Sequence, residues 1–145
     1  TSILLNITED HLDRYRSFSD YKDAKYRIFE NQQQEDYAIL NKNLPDTDGI
    51  QAKRLFFSSK DEIKEGSFYQ DGVMIVRLQG QEYRYERDAS PLIGVHNTEN
   101  LLVALLVAHI YGIEKDCIEE ALKEFKGLPH RIEAVRRIDN ILFFF

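Results

Sequence analysis

Eight consecutive apolar residues, Leu101-Leu102-Val103-Ala104-Leu105-Leu106-Val107-Ala108, constrain this chain more than any other feature. They sit within a stretch from Thr98 to Tyr111 that has the length of a helix, and a helix apolar on every side is buried on most sides. The rest of the chain must therefore supply layers to cover it.

Those layers are readable. Ile3-Leu4-Leu5-Asn6-Ile7 is a short apolar run, suited to a buried strand of a parallel sheet. A helix is predicted from Ser19 to Gln32, with Tyr21, Ala24, Ile28 and Phe29 on one face. Tyr37-Ala38-Ile39-Leu40 and Arg54-Leu55-Phe56-Phe57 read as two further strands. From Phe68 to Tyr85 the pattern alternates and turns at Asp71-Gly72 and Gln79-Gly80, which predicts β-hairpins. Gly112 is the expected cap of the apolar helix. A second helix begins near Asp116, with Glu119 as a capping-box partner and Ile118, Ala121, Leu122 and Phe125 as its stripe. Ile132–Ile138 and Ile141–Phe145 form two strand-like runs across Asp139-Asn140. The predicted class is an α/β domain with a mixed sheet.

Composition narrows the function. The 145 residues fit one domain, and no apolar run reaches the ~18 residues of a membrane span. The net charge of −6 argues against a general affinity for nucleic acid. One cysteine, Cys117, cannot form an internal disulfide, which suits a reducing cytoplasm. The only methionine is the internal Met74, and the sequence stops on Ile141-Leu142-Phe143-Phe144-Phe145, a run costly to leave in water. A piece of a longer polypeptide is therefore expected.

Four segments carry chemistry. Thr8-Glu9-Asp10-His11-Leu12-Asp13 follows an apolar strand, where open α/β sheets place ligands. A histidine among carboxylates can hold a divalent ion, although a capped helix start would use the same residues. Lys25 lies inside the apolar stripe of its helix, so it must snorkel, meet an anion or be modified. His96-Asn97-Thr98-Glu99-Asn100 opens the apolar helix. Capping accounts for Asn97 or Thr98, whereas Asn100 sits too far in to cap and its amide can read a base. Gly127-Leu128-Pro129-His130-Arg131 ends the second helix, and Arg131 suits a phosphate or sugar contact as well as a plain surface position. His109 reads as packed, and Cys117 as a small residue rather than a nucleophile. Strand alternation accounts for Tyr83-Arg84-Tyr85 better than base stacking.

Together these segments resemble the central domain of the Mur ligases. Leu5 to Arg14 is similar to the family's strand-end motif, and Tyr21-Lys22-Asp23-Ala24-Lys25 carries a lysine at the family's spacing. His96 to Asn100 resembles the segment opening the adenine-side helix. Gly127-Leu128-Pro129-His130-Arg131-Ile132-Glu133 is most similar to the member that adds D-glutamate. The resemblance is weakest from Pro45 to Pro91.

It implies the C-terminal part of a central ATP-binding domain over residues 1–145, with a mixed, mostly parallel sheet flanked by helices and added β-hairpins. It also implies an ATP-dependent amide-bond ligase joining D-glutamate to UDP-N-acetylmuramoyl-L-alanine through an acyl phosphate. By similarity, His11 and a carbamylated Lys25 would hold Mg²⁺, and Asn97 and Asn100 would face adenine. Arg131 would reach the nucleotide, and His130 would lie near the active site. No Gly-x-x-x-x-Gly-Lys-Ser/Thr run occurs, so the phosphate loop is expected upstream and the amino-acid-binding domain downstream. The isolated chain is then expected to be inactive, and the parent to be monomeric and cytoplasmic. The rival readings are another Mur ligase, a folylpolyglutamate synthase-like ligase, or a non-catalytic interaction domain of the same fold.

Overall fold

The computed structural model describes residues 1–8, 15–127, 134–139 and 141–144. Its main sheet has six strands in sequence order: β1 (Ser2–Leu4), β2 (Tyr37–Asn41), β3 (Lys53–Ser58), β4 (Gly66–Gln70), β5 (Val73–Leu78) and β6 (Gln81–Glu86). The first four pair in parallel, and β4-β5-β6 is an antiparallel meander. Helix α1 (Phe18–Tyr26) joins β1 to β2, while α2 (Val95–Ile110) and α3 (Lys115–Glu124) follow the meander. A separate hairpin of β7 (Ala134–Ile138) and β8 (Ile141–Phe144) forms a second sheet. The expected α/β class with a mixed sheet is what the chain adopts.

The meander forms because its turns are chemically specified. Asp71 and Gly72, and then Gln79 and Gly80, all take positive φ, the geometry that matches the twist of two paired strands. The parallel part is held by burial on both faces. Ala38, Ile39 and Leu40 of β2 are all fully buried although they alternate sides. Ile39, Leu55, Phe57, Met74, Val76 and Tyr85 pack under α2 and α3 through Leu101, Leu102, Leu105, Leu106, Ile118 and Leu122. Each such side chain contributes about 1.5–3 kcal/mol on burial. Leu4, Ala38, Leu40 and Phe29 form the opposite layer, with Tyr26 and Leu44 at its margin.

The β3–β4 connection is unusual. Parallel neighbours normally need a crossover of about a dozen residues or more, yet here residues 59–65 suffice. The register explains it: Phe56 pairs with Gly66 and Ser58 with Phe68, so β4 is displaced forward and the chain backtracks only two positions. Ser58 shapes the reversal, its buried hydroxyl accepting from Lys60 N at 3.1 Å and Asp61 N at 3.0 Å. Ile63 then plugs the layer against Phe68 and Ile75, and Arg77 holds Glu62 at 2.6 Å.

Three expectations need correction. The first helix is α-helical only to Tyr26 and tightens to a 3-10 turn at Arg27–Phe29. The tighter winding keeps Phe29 buried but turns Ile28 outward, 49% exposed. Neither Asn97 nor Thr98 caps α2, because the helix starts at Val95 after Gly94, whose φ of 99° makes the entry without a side-chain cap. Likewise α3 starts at Lys115 with Glu114 before it and no side-chain cap, so the Asp116–Glu119 capping box is not formed. Gly112 does end α2: Ile113 N bonds Ala108 O at 2.9 Å and Gly112 N bonds His109 O at 3.2 Å, a Schellman closure.

His109 is packed, as its apolar helix suggested. Its ring stacks on Tyr83 at 3.8 Å, and the Tyr85 hydroxyl lies 2.8 Å from Nε2. Burial lowers the His109 pKa and raises that of Tyr85 to about 12. The neutral imidazole is thus favoured in the fold, so below its ordinary value of 6.5 the unfolded chain binds the extra proton. Stability is complete above that pH and is lost as pH falls through the lowered folded value. Urea titrations across about pH 5 to 7 should show this slope, at most one proton's worth, and His109→Phe should flatten it. An unchanged slope in the variant would assign the dependence to other groups.

Candidate functional site

Strands β1 to β4 and β6 run the same way, so their C-terminal ends share one rim of the sheet, the edge where such sheets bind ligands. Segment 5–8 leaves β1 there. Residues 9–14, which include His11, lie outside the described residues, as do His130 and Arg131.

The chain returns at Tyr15, whose ring meets Tyr21 edge-on at 5.2 Å. Helix α1 is capped by Ser17, whose Oγ accepts from Asp20 N at 3.1 Å. Lys25 is exposed, with Nζ 5.4 Å from the centre of the buried Tyr21 ring. It takes part in no ion pair among the described residues. Of the fates open to a lysine in that stripe, it reaches solvent across an aromatic face. The helix is tied to the loop leaving β2 by two polar contacts: Lys22 Nζ meets Asp46 Oδ2 at 2.6 Å, and the Tyr26 hydroxyl donates to Pro45 O. Asp46 raises the Lys22 pKa by hydrogen bonding, and burial raises that of Tyr26.

At the other side of the rim, Ser59 Oγ donates to Glu99 Oε1 at 2.8 Å and so ties the end of β3 to the first turns of α2. Asn97 Nδ2 donates to Ile93 O at 2.8 Å, leaving its carbonyl oxygen for other donors, and Asn100 is exposed one turn on. Arg87 escaped the sequence reading. Its guanidinium donates to Thr98 Oγ1 at 2.7 Å, Ser90 O at 3.4 Å and Leu92 O at 2.5 Å, clamping the loop that enters α2. Burial lowers its pKa. The only sequence signal was an arginine ending an alternating strand, which does not distinguish a clamp from a surface charge. An open cleft of about 670 Å³ lies here, lined by Ser59, Tyr69, Gly72, Arg87, Gly94 and Thr98 among others. Asn97 and Asn100 stand outside that lining.

Among the described residues no cluster of three or more His, Cys, Asp and Glu side chains is placed to hold a metal. Cys117 is exposed on α3. No helix among the described residues is long and apolar enough to cross a membrane.

Residues 1–108 match the family profile described as the Mur ligase middle domain. The chain belongs to the Mur ligase family. It is 44% identical over 147 residues to the UDP-N-acetylmuramoylalanine–D-glutamate ligase of Citrifermentans bemidjiense, covering 99% of this chain and 32% of that relative. The enzyme of the same name from Thermoanaerobacter sp. strain X514 is 40% identical over 148 residues, covering 99% and 33%. The Mur ligase chain thus spans about a third of the length of the curated relatives it matches. In fold it is similar to MurF from Acinetobacter baumannii, with a TM-score of 0.71 at 18% identity over 98% of this chain and 32% of that one. A pseudomurein peptide ligase type C from Methanothermus fervidus gives 0.66 at 20% identity over 99% and 37%. At these identities the two solved structures speak for the α/β architecture alone.

Proposed function

We propose that residues 1–145 are part of the ATP-binding central domain of a ligase that joins D-glutamate to UDP-N-acetylmuramoyl-L-alanine. The observation that carries this reading is 44% identity across almost the whole chain to relatives named for that reaction. A folylpolyglutamate synthase-like enzyme or another Mur ligase is the alternative within the superfamily. The run Gly127 to Glu133 favours the D-glutamate enzyme. A non-catalytic domain is disfavoured because packing calls for neither His11 nor an exposed Lys25. The phosphate-binding loop and the amino-acid-binding domain belong, in this reading, to the rest of the polypeptide. Nucleotide-linked substrates put the reaction in the cytoplasm.

The reaction activates a substrate carboxylate with ATP, and the amine of D-glutamate then displaces phosphate to form the amide. Mg²⁺, when bound, neutralises phosphate charge as the nucleophile approaches. Lys25 fits a role beside it: its nitrogen is solvent-accessible and unpaired with any described carboxylate, so carbamylation would turn a cation into an anion able to meet the metal. His11 is the proposed second group on the metal. Asn100 offers two amide donors and an acceptor, and Asn97, with one N–H given to Ile93 O, keeps a donor and an acceptor, both suited to an adenine edge. Arg131 would contact the nucleotide, and His130 would lie near the active site.

The complete polypeptide should release ADP only when UDP-N-acetylmuramoyl-L-alanine and D-glutamate are both supplied, while the 145-residue chain alone should release none. Turnover with a different amino acid in place of D-glutamate would move the assignment to another ligase of the family. ADP release by the isolated chain would refute the division into domains.

A further inference from the structure

Lys22 and Tyr26 grip two successive residues of one loop. They stand one helical turn apart on α1, and their side chains reach Asp46 and Pro45 respectively. Apolar anchoring of this helix is sparse: Tyr21 is its one buried residue, Tyr26 is partly buried against the Leu4–Leu40 layer, and the next anchor, Phe29, lies beyond it in the 3-10 turn. The Lys22 side chain is only 21% exposed, so its stem packs while its ammonium meets the carboxylate. Asp46 itself takes a left-handed φ of 54°, which aspartate tolerates better than most residues. Lys25 lies between the two gripping residues, and the loop they grip leaves the ligand-binding rim of the sheet. Sliding or rotating α1 on the sheet would carry Lys25 with it.

We infer that the Lys22–Asp46 ion pair and the Tyr26–Pro45 hydrogen bond are a positioning tether that fixes the distance of Lys25 from the rim. Both polar tips are engaged by the loop, at Asp46 and Pro45. Their contribution passes through Lys25, so the inference rests on the ligase reading of that residue and deepens it. A tether made of two polar contacts on a helix with one buried side chain has a specific consequence. Its loss leaves the fold intact but lets the Lys25 nitrogen wander, so the metal requirement changes before stability does.

The test uses the complete ligase. Lys22→Met keeps most of the stem and removes only the ammonium, Tyr26→Phe removes only the hydroxyl, and the two are combined. The dissociation constant for Mg²⁺, read by titration calorimetry on the ligase with ADP and without turnover, should rise about tenfold, and kcat should fall by a similar factor, as when a group supporting a metal ligand is removed. The KM for D-glutamate should not move. Lys22→Arg, which preserves a cation for Asp46, should restore the ordinary Mg²⁺ affinity. The inference is overturned if the double variant keeps the wild-type Mg²⁺ affinity, or if Lys22→Arg is as impaired as Lys22→Met. Should the double variant fail to fold, Tyr26→Phe alone is read the same way. Lys25→Ala, assayed alongside, separates the two levels. Full activity in that variant sinks the ligase reading of Lys25, whereas an inactive Lys25→Ala with an unaffected double variant sinks only the tether.

Discussion

Lys25→Ala in the complete ligase is expected to lower turnover by about 10²–10³-fold, the scale seen when one preorganised group facing developing charge is removed. The structure makes this substitution clean. Lys25 is exposed, forms no ion pair among the described residues, and its Nζ lies 5.4 Å from the centre of the Tyr21 ring. Loss of an exposed cation over an aromatic face costs about 0.5–1 kcal/mol, too little to unfold a domain. A large fall in rate with an unchanged melting temperature would therefore report chemistry. Rates are compared at saturating ATP, UDP-substrate and D-glutamate, so that weakened binding does not enter. Activity within about threefold of wild type would assign Lys25 to the surface, where most snorkelling lysines belong.

The second large effect is on stability. Gly66 opens β4 with φ of 139°, and a Cβ there would sit 1.9 Å from the carbonyl oxygen of Phe56 and 2.9 Å from its C and N atoms. No rotamer relieves such a contact, because the obstacle is the backbone of the paired strand. Gly66→Ala must break the Phe56–Gly66 pairing or shift β4 as a whole. We expect a loss above about 4 kcal/mol, a large part of the 5–15 kcal/mol that holds a typical domain. Gly72 provides a comparison: its φ of 86° is also one that alanine rarely adopts, yet nothing lies within 4 Å of its Cβ position. Gly72→Ala should cost only the backbone strain, about 1–2 kcal/mol. Urea midpoints of the two variants decide the matter, and equal losses would show that the close approach to Phe56 is not what requires glycine.

Legibility followed the range of the interactions. The two hairpin turns were readable because Asp71-Gly72 and Gln79-Gly80 specify their geometry within two residues. The burial of α2 on most sides was readable from its apolar run: Leu101, Leu102, Val103, Leu105 and Leu106 are buried, and only the small Ala104 faces water. Helix starts were misread where the chain uses a glycine or an uncapped glutamate at the N-cap instead of a capping side chain, as at Gly94 and Glu114. Ile28 was misplaced because the switch to 3-10 winding leaves no mark in apolar spacing. In the site, Lys25 stood out as a charge within a stripe. Arg87, Lys22 and Tyr26 did not, because their partners at Thr98, Asp46 and Pro45 are brought together only by the tertiary fold.

The forward displacement of β4 also shapes the cleft. Since β3 stops at Ser58 opposite Phe68, Tyr69 and Gln70 continue past it, and the Asp71–Gly72 bend rises further still. The sheet's edge is therefore a staircase, with Ser59 at the foot and Tyr69 and Gly72 as the riser. Each residue of offset adds about 3.3 Å to that riser. The Phe56–Gly66 register, held by the burial of Ser67 and Phe68 on either side of β4, is thus what sets the depth of the hollow.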